Sequence, residues 1–182
     1  MRIIGIVGVT NSGKTTLLDH LRDTPWIGMA EIGKEMRKRY SPDHFNGLGA
    51  MKETEDEVWE IFAQQHAEAL NRGCRVLLCD GQPRLSDQVD VMRRRYGPVS
   101  VLQLYAPHHI LCERAAQRDA EPKALELSNK RLVNDYVQLY QVLAEWHSHC
   151  GAQEYFSVID TSVPSDEWLG KADAFISSAG GA

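Results

Sequence analysis

The stretch that decides the fold is GVTNSGKT, residues 8–15, which follows a short apolar run at residues 3–7 and precedes a helical pattern. It satisfies the pattern GxxxxGK(S/T) in the strand, loop and helix setting that this pattern requires. Glycines in such a loop let its backbone N–H groups curl around phosphate oxygens, and the following helix adds its positive N-terminal end. The sequence therefore predicts a phosphate-binding loop between the first strand and the first helix, and with it nucleotide binding.

Particular side chains have expected roles beside this loop. Lys14 supplies a positive charge toward the β and γ phosphates, and the Thr15 hydroxyl is placed to ligate Mg²⁺. Asp80 ends a second apolar run, so it would lie at the carboxyl edge of a parallel sheet, where it can hold the same metal. We expect ATP to bind together with Mg²⁺ through the loop residues Gly8, Asn11, Ser12, Gly13, Lys14, Thr15 and Thr16.

Short apolar runs recur along the chain, each followed by turn residues and a longer helical pattern, at residues 3–7, 75–79, 99–105 and 155–159. This alternation predicts an α/β fold of the three-layer P-loop type, with a parallel sheet flanked by helices. Thr54 and Glu57 have the spacing of a capping box that opens a helix to about Asn71. A helix at about residues 125–147 carries a stripe that we expect to face the core, namely Leu132, Tyr136, Leu139, Leu143 and Trp146.

Composition limits the possible partners. The chain has 182 residues, a formal net charge of -5, 43% hydrophobic and 25% charged residues, as is typical of an ordinary globular domain. An acidic chain has no global positive field for nucleic acid or anionic lipid, and no run approaches the roughly 20 apolar residues of a membrane span. The four cysteines lack CxxC spacing and are expected to be buried thiols. We expect one cytoplasmic domain, residues 1–182, that binds neither nucleic acid nor membrane.

Several short motifs occur in the order of a known family. They are DGQPR at residues 80–84 with Gln88, IGKEMR at residues 32–37, ER at residues 113–114 with Arg118, and KRL at residues 130–132 with Tyr136 and Tyr140. The first resembles the DG-aromatic-PRxxxQ signature of adenylate kinase and the related nucleoside monophosphate kinases. The others resemble the family's acceptor segment, the run before its lid and the helix after the lid.

The resemblance implies transfer of the ATP γ-phosphate to a nucleoside or deoxynucleoside monophosphate, giving a diphosphate and ADP. On the acceptor side, Arg37 and Arg84 would bind the phosphate, Gly33 would lie in the same acceptor segment, and Gln88 would lie near the base. Pro83 has the position of a first-turn proline, which would put Arg84 and Gln88 on one face of the next helix.

On the donor side, the resemblance implies that Arg114 lies near the adenine, while Arg118 and Arg131 face the moving phosphoryl group and act in catalysis with Lys14 and Arg84. Such a cluster suits the chemistry, since phosphoryl transfer depends on aligning two polyanions and neutralising their repulsion. The resemblance also implies an acceptor-binding insertion at about residues 30–72 and a short lid at about residues 119–130.

The sequence departs from the family pattern at Gln82, where the signature usually carries an aromatic or aliphatic residue, and in the shortness of the lid. Two other functions therefore stay open: a P-loop kinase for a small non-nucleotide metabolite, and a nucleotide-binding regulatory module. Arg114 and Arg118 could also form surface ion pairs, worth about 0 to 1 kcal/mol. The run at residues 93–95, three arginines, is expected on a solvated helix face, and His149 lies in no recognisable zinc spacing.

Overall fold

The computed structural model describes residues 1–40, 55–118 and 122–180, with the side chains of residues 122–129 excepted. In chain order the elements are β1 (Arg2–Val7), α1 (Lys14–Leu21), β2 (Ile27–Ala30), α2 (Ile32–Arg39), α3 (Glu55–Asn71), β3 (Val76–Asp80), α4 (Ser86–Tyr96), β4 (Val99–Tyr105), α5 (His108–Arg118), α6 (Pro122–Ser148), β5 (Phe156–Asp160) and α7 (Ser165–Ala179). Thr54 and the first part of the expected lid lie outside the described residues.

The strands form one parallel sheet in the order β2-β3-β1-β4-β5. β1 is central, and its side chains alternate between the two faces: Ile4 and Ile6 enter one core cluster, while Ile3 and Val7 enter the clusters on the other face. Both faces are covered, so the strands read as continuous apolar runs rather than as alternating ones. The predicted three-layer α/β fold is confirmed.

Two helical layers enclose the sheet. The first layer contains α1 and α7, which bury Leu17, Leu18 and Trp168 against it. The second layer contains α2, α3 and α4, together with α6, whose Trp146 packs beside Val101 of β4. The α5 helix packs against α6 through Leu111 and Leu132, so these two helices lie together beside the loop that follows β1.

Two sequence predictions about α4 and α6 were wrong. Tyr136 is exposed rather than in the core, because the buried side of α6 includes polar residues, above all Gln138 at 7% exposure, that a hydrophobic pattern does not register. Pro83 and Arg84 precede α4, which begins at Ser86, instead of lying in its first turn. The Gln88 side chain accounts for this start, since its Oε1 accepts the backbone N–H groups of Arg84 and Leu85 at 2.8 and 3.1 Å.

Arg93 and the cysteines also differ from expectation. Arg93 does not lie on a solvated face: it forms a two-pronged ion pair with Glu154, at 2.8 Å for each nitrogen and oxygen. Of the four thiols, those of Cys74 and Cys79 are buried, whereas Cys112 is half-buried and Cys150 is exposed. Within the described residues, no helix combines the length and apolar composition that crossing a bilayer requires.

Glu154 links the start of β4 to α4 and to the segment before β5. It also accepts the backbone N–H groups of Val99 and Gly151 at 2.8 and 3.0 Å, and its side chain is 3% exposed. Burial alone would raise the pKa of this carboxyl, but the Arg93 guanidinium and the two N–H groups together hold it below the usual value.

We predict that Glu154→Gln lowers the free energy of unfolding by about 3 kcal/mol at neutral pH, because it leaves a buried guanidinium without its counter-charge. The folded state lowers the pKa of Glu154. Its contribution to stability is therefore complete above the pKa of an unfolded glutamate, about 4.3, and is lost as the pH falls through the lower pKa of the folded state. Urea denaturation of the wild type and of Glu154→Gln, from pH 7 down to pH 3, measures this difference in the free energy of unfolding. The exposed control Glu60→Gln should change stability by less than about 0.5 kcal/mol, and an equal loss in both variants would contradict the assignment.

Candidate functional site

The loop between β1 and α1, residues 8–15, has the backbone form of a phosphate cradle. Gly8 and Gly13 have φ values of +155° and +96°, and Asn11 has φ of +68°. A Cβ at Gly8 would lie 2.5 Å from Ser12 Oγ and 2.6 Å from the carbonyl oxygen of Leu104, so no other residue fits there without a shift of the loop. The glycine at this position is therefore required by close packing as well as by its torsion angle.

Lys14 begins α1 and points back into the loop. Its ammonium Nζ donates to the carbonyl oxygens of Gly8 at 2.6 Å and Val9 at 3.0 Å. Burial lowers the pKa of this ammonium, and the carboxylates of Asp80 and Asp135 oppose that shift. The charge that the sequence predicted for the triphosphate thus lies against the loop backbone, where the carboxylates of Asp80 and Asp135 act on it.

Asp80 lies at the mouth of the same loop because β3 pairs with β1 in a register that sets Asp80 opposite Ile6. Burial raises the pKa of its carboxyl, while the positive charges of Lys14, Arg37 and Arg84 lower it. Thr15 and Thr16 are exposed on the first turn of α1, so their hydroxyls face away from the core. Thr15 and Asp80 carry oxygen atoms of the hard kind that Mg²⁺ prefers, and their role as metal ligands stays a prediction.

The loop also fits a bound triphosphate. Ser12 is fully buried, and its Oγ has no hydrogen-bond partner within the described part of the chain. The N-terminal end of α1 has no side-chain cap, so its N–H groups are available to an anion. These features are those expected of an ATP and Mg²⁺ site, whose metal would lie at Thr15 and Asp80 and whose phosphates would lie against the loop.

The two arginines predicted for the acceptor, Arg37 and Arg84, come from two elements. Arg37 is exposed on α2, beside Gly33: a Cβ on that glycine would lie 3.4 Å from Arg37 Nη1. Arg84 follows β3, and its guanidinium is held by α6 through Nε, which donates to Gln138 Oε1 at 3.1 Å, and through Nη2, 3.9 Å from Asp135 Oδ1. Both arginines lower the pKa of Asp80, and Arg84 also acts on Lys14, so each of these positive charges is near enough to this part of the chain to affect a charged group beside the loop.

Gln88 and Arg114 have structural contacts that the sequence did not suggest. The Gln88 side chain is 2% exposed, and its oxygen is already bound to backbone N–H groups at the start of α4. Arg114 Nη1 donates to the carbonyl oxygen of Asn11 and to Thr161 Oγ1, each at 3.1 Å, and Nη2 donates to the carbonyl oxygen of Thr161. Arg114 thereby fixes the loop to the segment after β5, and contact with an adenine stays a prediction.

Arg118 and Arg131 are placed by their neighbours on the helices. Arg118 lies one turn beyond Arg114 on α5, and Arg131 lies one turn before Asp135 on α6, so each shares a helix face with a residue that touches the loop. Their predicted contact with the moving phosphoryl group stays a prediction, as does the lid at about residues 119–130, whose first residues are outside the described ranges.

Three residues that bind the loop or Arg84 were missed by the sequence reasoning. Asp135 Oδ2 accepts the Thr10 backbone N–H at 2.7 Å and the Thr10 hydroxyl at 2.5 Å. Thr161 Oγ1 donates to the carbonyl oxygen of Ser12 at 3.0 Å or to that of Tyr105 at 3.1 Å, and Gln138 holds Arg84. Their only advance signal was the two polar residues, at 135 and 138, between the apolar positions of α6.

A second polar cluster lies toward the opposite edge of the sheet, where α4 packs on the end of α6. Asp90, Glu145 and His149 bring their ligand atoms within 4.8 Å of one another, although no zinc spacing was visible in the sequence. Arg93 Nη1 lies 3.9 Å from Asp90 Oδ1, so a positive charge already faces this cluster. We assign no metal ion to it.

No protein-family model matches the chain, and no curated protein sequence is significantly similar to it. Among solved structures, the unliganded crystal structure of a sugar kinase from Janibacter sp. HTCC2649 is similar, with a TM-score of 0.60 and 20% sequence identity. The similarity covers 100% of this chain and 99% of that one. It shows a shared three-layer α/β fold along the whole length of both chains.

The close packing at Gly8 gives a direct test of the loop. We predict that Gly8→Ala lowers the free energy of unfolding by about 2 kcal/mol, because the new methyl group overlaps Ser12 and the backbone of β4. Gly170→Ala is the matched control: Gly170 lies within α7 with open space around it, so alanine should stabilise by about 0.5 to 1 kcal/mol. Chemical denaturation measures both, and similar stability of the two variants would show that the loop has room at Gly8.

Proposed function

We propose that this chain is an ATP-dependent phosphotransferase that acts on a small molecule. The observation that carries the proposal is that charged side chains from α1, α2 and the end of β3 act on one another beside one loop: Lys14, Arg37, Asp80 and Arg84. In phosphoryl transfer the protein takes little part in the covalent chemistry. It positions the two substrates and stabilises the negative charge on the transferred phosphoryl group. A mere nucleotide-binding module would have no need of arginines beside the end of the phosphate loop.

In this proposal the loop N–H groups hold the triphosphate, and Lys14 exchanges its bonds with loop carbonyls for bonds with the β and γ phosphates. Mg²⁺ bound at Thr15 and Asp80 would neutralise charge on the phosphates. Arg84, whose Nε donates to Gln138 Oε1, would bind the acceptor. Asp135 and Arg114 hold the loop itself in shape through Thr10 and Asn11.

Two classes of acceptor are supported by different observations. The order of the motifs supports a nucleoside monophosphate, with Arg37 and Arg84 at its phosphate. The full-length similarity to a sugar kinase supports a small non-nucleotide metabolite. Contacts within the chain favour the second class, since Arg84 already faces a carboxylate and the oxygen of Gln88 already binds backbone.

The experiment that tests the proposed function is a panel of acceptors incubated with Mg-ATP. Polyols, aldoses, aldonic acids and all common nucleoside monophosphates are scored for ADP formation and for a product heavier by one phosphoryl group. Transfer to any of them supports a phosphotransferase. Binding of Mg-ATP without any transfer would instead support the regulatory module.

We predict that Lys14→Ala abolishes transfer while the thermal midpoint stays close to that of the wild type. The variant removes the positive charge that faces the triphosphate, but it removes no apolar packing from the core. Activity with the best acceptor should fall at least about 1000-fold, corresponding to about 4 kcal/mol of transition-state stabilisation. Turnover near the wild-type rate would contradict the assignment of the loop.

We predict that Arg84→Ala weakens use of the acceptor more than binding of ATP, because the guanidinium lies on the acceptor side of Asp80. The expected change is an increase of about tenfold or more in the acceptor KM, with the Kd for Mg-ATP changed by less than about threefold. Arg94→Ala, on the exposed side of α4, is the control and should change neither constant. Unchanged acceptor kinetics in Arg84→Ala would end this assignment.

A further inference from the structure

Three carboxylates act on the loop or on one another, namely Glu31, Asp80 and Asp135, and they differ in how much hydrogen-bonding capacity they have left. Both oxygens of Glu31 are engaged by Arg22, at 2.8 and 3.0 Å, with Lys34 nearby at 3.5 Å. Asp80 is assigned to the metal. Asp135 binds Thr10 through Oδ2, whereas within the described residues Oδ1 has only the 3.9 Å ion pair with Arg84. Of Glu31 and Asp135, Asp135 is therefore the one that, within the described residues, keeps hydrogen-bonding capacity, at its Oδ1.

Gln82 provides a second, independent observation. It lies between Asp80 and Arg84 on the chain, and its side chain is 3% exposed. Its Oε1 is buried and has no hydrogen-bond partner in the described part of the chain. A buried oxygen without a donor costs free energy that an apolar side chain would avoid. Gln82 also stands where the resembling signature carries an aromatic or aliphatic residue, so the departure puts an unused hydrogen-bond acceptor into this segment.

Both observations specify the chemistry of a ligand. An oxygen without a partner and a carboxylate oxygen with free capacity are completed by hydrogen-bond donors. A phosphate dianion offers only acceptors, and Asp135 would repel it. An alcohol offers a donor at each hydroxyl, and one of these hydroxyls must lose its proton when it attacks phosphorus.

Resting on the phosphotransferase function proposed above, we infer that the acceptor is a polyhydroxylated molecule rather than a phosphate. One of its hydroxyls donates to Gln82 Oε1, which fixes the orientation of the molecule. A second hydroxyl donates to Asp135 Oδ1 and is the group that is phosphorylated. Asp135 is then a catalytic residue and Gln82 a specificity-determining one.

The step balances without a further reactant. The acceptor oxygen forms a bond to the γ phosphorus as the bond from that phosphorus to the β–γ bridging oxygen breaks, so ADP leaves with the electron pair. The hydroxyl proton passes to Asp135 Oδ1 and then to solvent. A nucleoside monophosphate that attacks through its phosphate oxygen would need no such proton acceptor, because the second pKa of a phosphate monoester is about 6.

The acceptor panel is the first part of the test. We expect transfer to at least one polyol, aldose or aldonic acid and none to the phosphate group of any nucleoside monophosphate. Transfer to nucleoside monophosphates alone would overturn this inference and leave the phosphotransferase function standing. Transfer to nothing would overturn both, and Mg-ATP titration would then show whether the loop still binds nucleotide.

Asp135→Asn tests the proton acceptor with the best alcohol of the panel. We expect kcat to fall about 100-fold, a loss at least about tenfold larger than the change in the Kd for Mg-ATP, because the amide oxygen of asparagine can still accept the Thr10 N–H and hold the loop. Asp23→Asn, the same substitution on an exposed turn, is the control and should match the wild type. A kcat within threefold of wild type in Asp135→Asn would overturn the role of this carboxylate.

Gln82→Met tests the contact that orients the acceptor. Its expected effect on the acceptor KM differs from that of a folding defect, because the variant should be more stable than the wild type. Removing a buried oxygen that lacks a donor should raise the thermal midpoint by about 3 °C, while the acceptor KM rises about tenfold and kcat changes less. Gln64→Met, on the exposed side of α3, should change neither quantity. A more stable variant with an unchanged acceptor KM would overturn the role of Gln82.

Discussion

The site depends on holding one ammonium group inside a loop of backbone. Lys14 Nζ is bound by the carbonyl oxygens of Gly8 and Val9, and its charge is balanced by Asp80 and Asp135. Such a group is stable there only if the loop keeps its shape when no ligand is present. The structure meets this condition by tight packing at Gly8 and by hydrogen bonds to Thr10, Asn11 and Ser12 from three separate parts of the chain.

Much of the fold could be predicted because its strands and helices have strong local patterns. The predicted runs at residues 3–7, 75–79, 99–105 and 155–159 match β1, β3, β4 and β5 to within one residue at each end. β2 was missed because it has four residues, one of them Gly28, and a run that short carries no periodicity. Gly28 is there for packing, since a Cβ would lie 2.5 Å from that of Ala69 on α3.

The candidate site was only partly accessible from the sequence, for a physical reason. Lys14, Asp80 and Arg84 belong to short motifs, and the edge of a parallel sheet brings such motifs together. Asp135, by contrast, is 125 residues from Thr10, and nothing in its local pattern distinguishes a carboxylate that faces the loop from one that faces solvent. Gln82 shows the opposite case: the sequence marked it as a departure, and only the structure showed that its oxygen is buried with no donor among the described residues.

The hydrogen bond from Thr161 to the carbonyl oxygen of Ser12 joins positions 149 residues apart. This separation affects how the protein folds during its synthesis. Synthesis proceeds from the N-terminus, so the glycine-rich motif leaves the ribosome long before the residues that anchor it. Until β5 has been made and has paired with β4 at the edge of the sheet, Arg114 lacks its hydrogen bonds to Thr161. A nascent chain therefore carries a recognisable nucleotide motif without a finished nucleotide site, and such contacts between distant positions are the slow ones to form.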